Sequence, residues 1–213
     1  MAILLTNATA ATMQGGYGLI QGAGIAVVET WDLTSDPIDM LVGFSHRDIG
    51  SAVARYLGGR GRRRLALVTA DDERARRRAD AFAAQALELG LGAVQRVSVG
   101  GSRTLSSGRA ALAQLLAQPQ PPDAVFCSSD LLALGVTTEA QARGLRVPDD
   151  LAVVGFGDFD FVADLEPALT SVRINGAAIG EQAARFLVAR AEGLRVEQKV
   201  VDVGFSIVER ASA

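Results

Sequence analysis

A single cysteine and a single histidine are present in these 213 residues. Cys127 has no second thiol to pair with, which excludes an intrachain disulfide and any cysteine-rich metal site. A serine–histidine–acid nucleophile could be built only through His46, which stands beside Ser45 and reads as structural. Aromatic residues make up 5% of the chain. No apolar run approaches the roughly 18 residues of a membrane span. Met1 is followed by Ala2-Ile3-Leu4-Leu5, with no basic segment before it and no credible cleavage site. No export signal is read, and a cytoplasmic location is expected. A net charge of −3 does not suit binding to nucleic acid through overall charge. The glycine-rich dinucleotide fingerprint, the phosphate-binding loop and the nucleophile elbow are all missing, so no cofactor is expected. The acid pairs Asp149/Asp150 and Asp158/Asp160 have no histidine around them, and turn chemistry explains them better than metal binding. Neither an internal repeat nor a low-complexity segment occurs.

Hydrophobic residues make up 49% of the chain and charged residues 21%, enough apolar material for a packed core. Alanine, leucine and valine dominate, as suits helices packed on parallel sheet. The chain is organised around Val125–Asp160, which reads as strand, helix and strand. The apolar run Val125–Cys127 ends in Ser128-Ser129-Asp130. A serine there can cap a helix, and Asp130 suits the positive end of its dipole. Gly144 after Arg143 fits a left-handed helix end, and Val147-Pro148-Asp149-Asp150 a turn. Leu151–Gly155 is wholly apolar, the mark of a parallel strand covered on both faces. A right-handed crossover puts the Ser128–Asp130 turn and the Gly155–Asp158 loop on one sheet edge, where open α/β sheets bind ligands.

Taken in order, Ala2–Thr6 reads as a strand, residues 8–23 as glycine-rich and weakly helical, and Gly24–Glu29 as a second strand. Asp36-Pro37 marks a turn before an extended Ile38–Phe44. A helix capped by Ser45 runs to about Leu57, and Leu65–Thr69 is a strand. Residues 72–89 show helical periodicity, with Arg74, Arg76, Arg77 and Arg78 crowding the first half. A strand Val94–Val99, a helix Ser107–Ala117, the organising unit, a short extended Leu169–Arg173 and a helix Gly176–Ala191 follow. Lys199–Val208 is read as one closing strand. Alternation of this kind predicts an α/β fold of doubly wound parallel sheets. The predicted division is a partial N-terminal lobe 1–45, a C-terminal lobe 46–171, a helix 172–195 returning to the first lobe, and a closing strand segment 196–213.

The run Ser128-Ser129-Asp130-Leu131-Leu132-Ala133-Leu134-Gly135, followed by Gly144–Asp158 and then Pro167-Ala168-Leu169-Thr170-Ser171-Val172, resembles the effector-binding core of LacI/GalR-family transcription repressors. The resemblance runs from about residue 2 to the end. Val27–His46 is most similar to the gluconate-repressor branch. It implies a two-lobed core of periplasmic-binding-protein type, homodimerisation, and a small sugar or sugar-acid effector. Operator DNA would be read through an N-terminal helix-turn-helix head, which these residues do not contain. By the family pattern the chain looks truncated, with the first lobe incomplete.

The candidate site residues follow from position and from the resemblance. An arginine fork can hold a carboxylate bidentately, and a helix N-terminus favours an anion. Arg78 resembles the family's effector-contacting arginine; Arg74 and Asp72 lie where side chains also reach ligand, while Arg76 and Arg77 read as surface. A cleft arginine supports little packing, so loss of Arg78 should leave stability nearly intact. Ser129 sits where the family bonds a sugar hydroxyl, and it can cap the helix as well. The family's ligand-gripping aspartate position is Gly157 here, and Asp158 comes one residue later, which favours an acidic effector. Arg103 stands in a loop where relatives place an aromatic; it either adds positive charge or faces solvent. Thr30 and Trp31 follow a strand end; Trp31 suits both a sugar platform and packing. Arg60, Arg62, Arg63 and Arg64 read as a solvated turn rather than a DNA contact. A solitary solute-binding protein is the alternative function, disfavoured by the missing export signal. An enzyme is disfavoured by the missing nucleophile–base pair.

Overall fold

The computed structural model describes residues 2–6, 24–100 and 103–213. The glycine-rich stretch 8–23 lies outside them. The chain forms two compact units, one of residues 1–45 and 174–205, the other of residues 46–173 and 206–213.

The first unit is a four-stranded sheet in the order β1 (Ala2–Thr6), β2 (Ala26–Thr30), β3 (Met40–Gly43), β9 (Val200–Asp202). All of its pairings are parallel. Val27, Val28, Met40 and Val42 are fully buried. Helix α5 (Gly176–Ala191) packs on β2 and β3 through Ile179, Ala183 and Phe186. Asn175 caps it by accepting from the Ala178 N–H at 3.0 Å. Asp39 is held by Lys199 at 2.8 Å and Arg190 at 3.6 Å.

The second unit is a six-stranded sheet in the order β10 (Ser206–Val208), β8 (Thr170–Arg173), β7 (Ala152–Gly157), β6 (Ala124–Cys127), β4 (Leu65–Thr69), β5 (Gln95–Ser98). Every pairing is parallel except β10 against β8. Helices α3 (Leu105–Leu116) and α4 (Asp130–Ala142) cover one face. Their Leu112, Leu115, Leu132 and Val136 pack against Val68, Val125, Cys127 and Val153. The two helices meet at glycine. A Cβ on Gly135 would lie 2.2 Å from the Leu105 carbonyl oxygen, and one on Gly108 2.3 Å from that of Leu132. Helices α1 (His46–Gly59) and α2 (Glu73–Glu88) pack together on the other face, where Phe82 meets Phe126 with ring centroids 5.6 Å apart.

The helix starts follow from cap chemistry. Asp72, Thr104 and Ser129 each accept a bond from an N–H three residues on, which satisfies donors a helix cannot satisfy itself. Gly144 takes φ +75° at the end of α4.

Two expectations need correction. Lys199–Val208 is not one strand: β9 and β10 belong to different sheets, and between them Gly204 turns at φ +65° with its N–H on the Asp202 carboxylate at 2.8 Å. Leu169–Arg173 is more than a crossing segment: residues 170–173 form β8, bonded to β7 on one side and β10 on the other. The chain end completes this corner. Ser212 is fully buried; its Oγ accepts from the Thr170 N–H at 2.8 Å and donates to the Val153 carbonyl at 2.6 Å.

The arginines at the opposite edge of the sheet are structural. Arg62 donates to the Pro148 and Asp149 carbonyls at 2.8 and 3.1 Å, and Arg64 to the Pro121 carbonyl at 2.7 Å.

Candidate functional site

In the second unit the strand order reverses at β4, with β5 on one side of it and β6 on the other. Ligands of open α/β sheets lie beyond the strand C-termini at such a switch point. Here the two loops are tied together. The Ser128 N–H donates to the Val68 carbonyl at 2.9 Å, and the Ser128 hydroxyl accepts from the Ala70 N–H at 2.9 Å. Helices α2 and α4 both begin at this edge, with their N-terminal ends turned toward it.

Arg78 lies one turn into α2, on the stripe it shares with Ala75, Ala79 and Phe82. It is only 4% exposed. Its guanidinium stands over the Phe156 ring at 4.0 Å, and Nη1 lies 2.8 Å from His46 Nδ1. An arginine N–H can only donate, so Nδ1 accepts and the imidazole proton sits on Nε2. The approach depends on Gly50, one turn along α1 from His46. A Cβ there would lie 2.1 Å from the Arg78 carbonyl oxygen. The expectation that Arg78 supports little packing is therefore corrected: the side chain is buried, stacked and hydrogen bonded.

Asp72 caps α2 and is also paired with Arg103. Burial pushes its carboxyl up, but the Ala75 N–H and the charges of Arg103 and Arg78 outweigh this, leaving it below the ordinary value. The structure thus brings Asp72, Arg78 and Arg103 into one electrostatic group. Arg74 lies in the first turn of α2 and is half-buried. Arg76 bonds Asp71 at 3.2 Å and Arg77 bonds Glu73. Ser129 occupies the cap position of α4, with the Leu132 N–H 3.4 Å from its hydroxyl.

Asp158 stands in the left-handed region at φ +55°. Its side chain is 2% exposed, with one oxygen 2.5 Å from Arg173 Nε and the other 2.7 Å from Arg210 Nη1. Burial pushes its carboxyl up; the bonds and charges of Arg210 and Arg173 overcome that and hold it below the ordinary value. Behind it lies Asp130, fully buried, which accepts from the Ser171 hydroxyl at 2.5 Å and from the Phe159 N–H at 2.9 Å. Burial raises its carboxyl above the ordinary value, and those bonds offset only part of the rise.

Thr30 and Trp31 belong to the first unit, at the C-terminal end of β2. Thr30 is buried; Trp31 is 37% exposed, at φ +71°, with its ring edge-on to Phe44 at 6.1 Å. A Cβ on Gly176 would lie 3.3 Å from that ring.

The sequence gives no sign that His46 partners Arg78, or that Phe156, Ser171, Arg173 and Arg210 meet at this edge, and Asp130 reads there only as an acid at a helix start. The available signals were an acid at a helix start after a strand, and one arginine falling on an apolar stripe. A depression of about 560 Å³ at the other sheet edge, lined by Arg64, Leu116, Pro121, Pro122 and Leu145 among others, brings no comparable group of buried charges together. Cys127 is fully buried, and burial pushes its thiol up, which makes it a poor nucleophile. Among the described residues no group of three metal-binding side chains occurs, and no helix is long and apolar enough to cross a membrane.

Comparison with known proteins adds three findings. Residues 54–213 match the family model of a periplasmic binding protein-like domain. The HTH-type transcriptional regulator GntR of Escherichia coli (strain K12) is 35% identical over 190 residues, 89% of this chain and 57% of that protein. The chain thus spans little more than half the length of this curated relative. Among solved structures, a LacI family transcriptional regulator from Silicibacter pomeroyi aligns with a TM-score of 0.86 and 27% identity, over 99% of this chain and 77% of that one. A transcriptional regulator CelR–cellobiose complex aligns with a TM-score of 0.83 and 27% identity, over 100% of this chain and 65% of that one.

Proposed function

Since the chain belongs to the periplasmic binding protein-like family as a LacI-family effector-binding core, we propose that it senses a small sugar acid, an aldonate or phosphorylated sugar, at the switch-point edge of its second unit. The observation that carries this reading is Arg78: a buried guanidinium beyond the strand ends, fixed by a ring at 4.0 Å and an imidazole at 2.8 Å. A planar fork whose orientation is already set loses little freedom on pairing with a carboxylate or phosphate. Arg74 and Arg103 add positive charge around it. Ser129 offers a hydroxyl to the sugar, and Asp72 orients Arg103. Asp158 acts through the two arginines it holds; in the first unit, taken by itself, Thr30 and Trp31 at the end of β2 are candidates for a hydroxyl and a ring contact to a sugar. The cellobiose complex supports a sugar as the ligand class, and the resemblance of Val27–His46 to the gluconate-repressor branch supports a gluconate-like compound.

In this reading the core works as a homodimer in the cytoplasm. It catalyses no reaction and reports effector occupancy to DNA-binding heads outside these residues. Occupancy acts only through a difference in effector affinity between two conformations. A solute-binding protein acting alone is the weaker reading, because the curated relative is a transcription regulator. The test is calorimetric titration with gluconate, 6-phosphogluconate and glucose. Binding of either acid with glucose at least tenfold weaker is expected. Glucose binding as tightly as the acids, or no binding of either acid, would overturn it.

A further inference from the structure

Asp130 is fully buried and accepts from two groups that belong to other elements, the Ser171 hydroxyl at 2.5 Å and the Phe159 N–H at 2.9 Å. A buried carboxylate is tolerated only with such bonds. Space for it has been left in the backbone. A Cβ on Gly155 would sit 2.3 Å from its Oδ1, and one on Gly157 3.1 Å from its Oδ2. Ser171 extends the contact by one residue: while donating to Asp130, its hydroxyl accepts from the Asp158 N–H at 3.1 Å. Two consecutive amides, those of Asp158 and Phe159, are thus drawn back toward one acid. The loop that results has φ +131° at Gly157 and +55° at Asp158. That backbone delivers the Asp158 carboxylate to Arg173 and Arg210. Arg173 ends β8 opposite Gly157.

We infer that Asp130 is the positioning residue of this edge: through Ser171 and the 158–159 amides it keeps the Asp158 carboxylate turned into its arginine pair, and so sets the preference for acidic over neutral effectors. The selectivity part rests on the function proposed above; the positioning part does not. With the pin removed, an L-residue at φ +55° relaxes toward the right-handed or extended region. Asp158 then leaves its two arginines and presents a negative charge at the edge. That charge repels an acid and can accept from sugar hydroxyls.

The experiment compares Asp130→Ala and Ser171→Ala with two conservative changes. Asp130→Asn can accept from the Phe159 N–H and donate to Ser171, and Ser171→Thr keeps the hydroxyl. Amide hydrogen exchange at residues 158 and 159 is measured in each, with affinities for gluconate and glucose. The alanine variants are expected to exchange at least tenfold faster at those amides. They should also lose at least tenfold of the ratio of gluconate to glucose affinity, while Asn and Thr retain both. If Asp130→Ala does not fold, Ser171→Ala, which deletes only a hydroxyl, decides. Protected amides in the alanine variants, or equal losses for both ligands, would overturn the inference. If the unmodified protein binds neither ligand, the proposed function fails while amide exchange still judges the positioning.

Discussion

Replacing Arg78 with alanine removes a side chain that is packed within its own unit and that the proposed function sets against the effector. In the unliganded protein the change deletes the stacking on Phe156 at 4.0 Å and the bond to His46 at 2.8 Å. A desolvated cation–ring contact is worth about 0.5–2 kcal/mol, and a hydrogen bond to a charged group about 1.5–3 kcal/mol. They belong to one side chain, so a combined loss of about 2–4 kcal/mol is expected. For a protein of this size that lowers the melting temperature by roughly 5–15 °C. In the complex, a bidentate charge-assisted contact is lost and the ligand's acid group stays desolvated, a loss of about 2–4 kcal/mol. At about 1.4 kcal/mol per tenfold, gluconate should bind about 30- to 700-fold more weakly, and glucose should change far less. Arg78→Lys keeps the charge without the planar fork and should fall between. Thermal melts and calorimetry at one temperature measure both effects. Unchanged acid affinity in Arg78→Ala would refute the clamp, and an unchanged melting temperature would refute the packing argument.

Gly135→Ala should destabilise by about 2–3 kcal/mol through overpacking, because its Cβ would meet the Leu105 carbonyl at 2.2 Å; urea unfolding should show a lower midpoint and an unchanged slope. Ser212→Ala should lower stability by about 1–3 kcal/mol, since it takes the hydroxyl acceptor from the buried Thr170 N–H; the same urea series measures it. Asp158 has a folded-state pKa below the ordinary 3.8, so its stabilising contribution is complete above that pH and fades as pH falls from 3.8 toward the folded value. Asp158→Asn should therefore flatten the loss of stability over that acid interval, as followed by denaturant midpoints at successive pH values.

Much of the second unit could be read from sequence because its elements are announced locally. Leu65–Thr69 is an apolar run, Ser129 is a cap, and Gly144 is a helix stop; each depends on neighbours within four residues. The short pieces were harder. β8, β9 and β10 hold four residues or fewer, too few for alternation to show, and Gly204 was the one local sign that 199–208 breaks. The site divides in the same way. Asp72 and Ser129 stand at strand-to-helix turns and Arg78 one turn into the helix that follows, where position alone suggests a ligand. The partners that fix them are distant in sequence: His46 is 32 residues from Arg78, and Arg210 is 52 from Asp158. No periodicity reports such pairs; they exist only once the sheet order is set.

The two groups that shape the proposed site share one physical device. Polar side chains in a dry environment need partners at hydrogen-bond distance, and backbones separated by Cβ atoms often cannot bring them there. Gly50 lets α1 meet α2 at the Arg78 carbonyl, and His46, one turn away on the same helix, then reaches the guanidinium. Gly155 leaves space for the Asp130 carboxylate beside β7, and Ser171 and Phe159 then reach that acid. In both places the absence of a methyl-sized group in one element decides where a charge is held in another. A Cβ would intrude to 2.1 Å in the first case and 2.3 Å in the second, so alanine at either position would separate the partners before any ligand-facing atom changed. These glycines therefore act on the site through the packing of the fold, and their effect on binding should follow their effect on the geometry of His46–Arg78 and Asp130–Ser171.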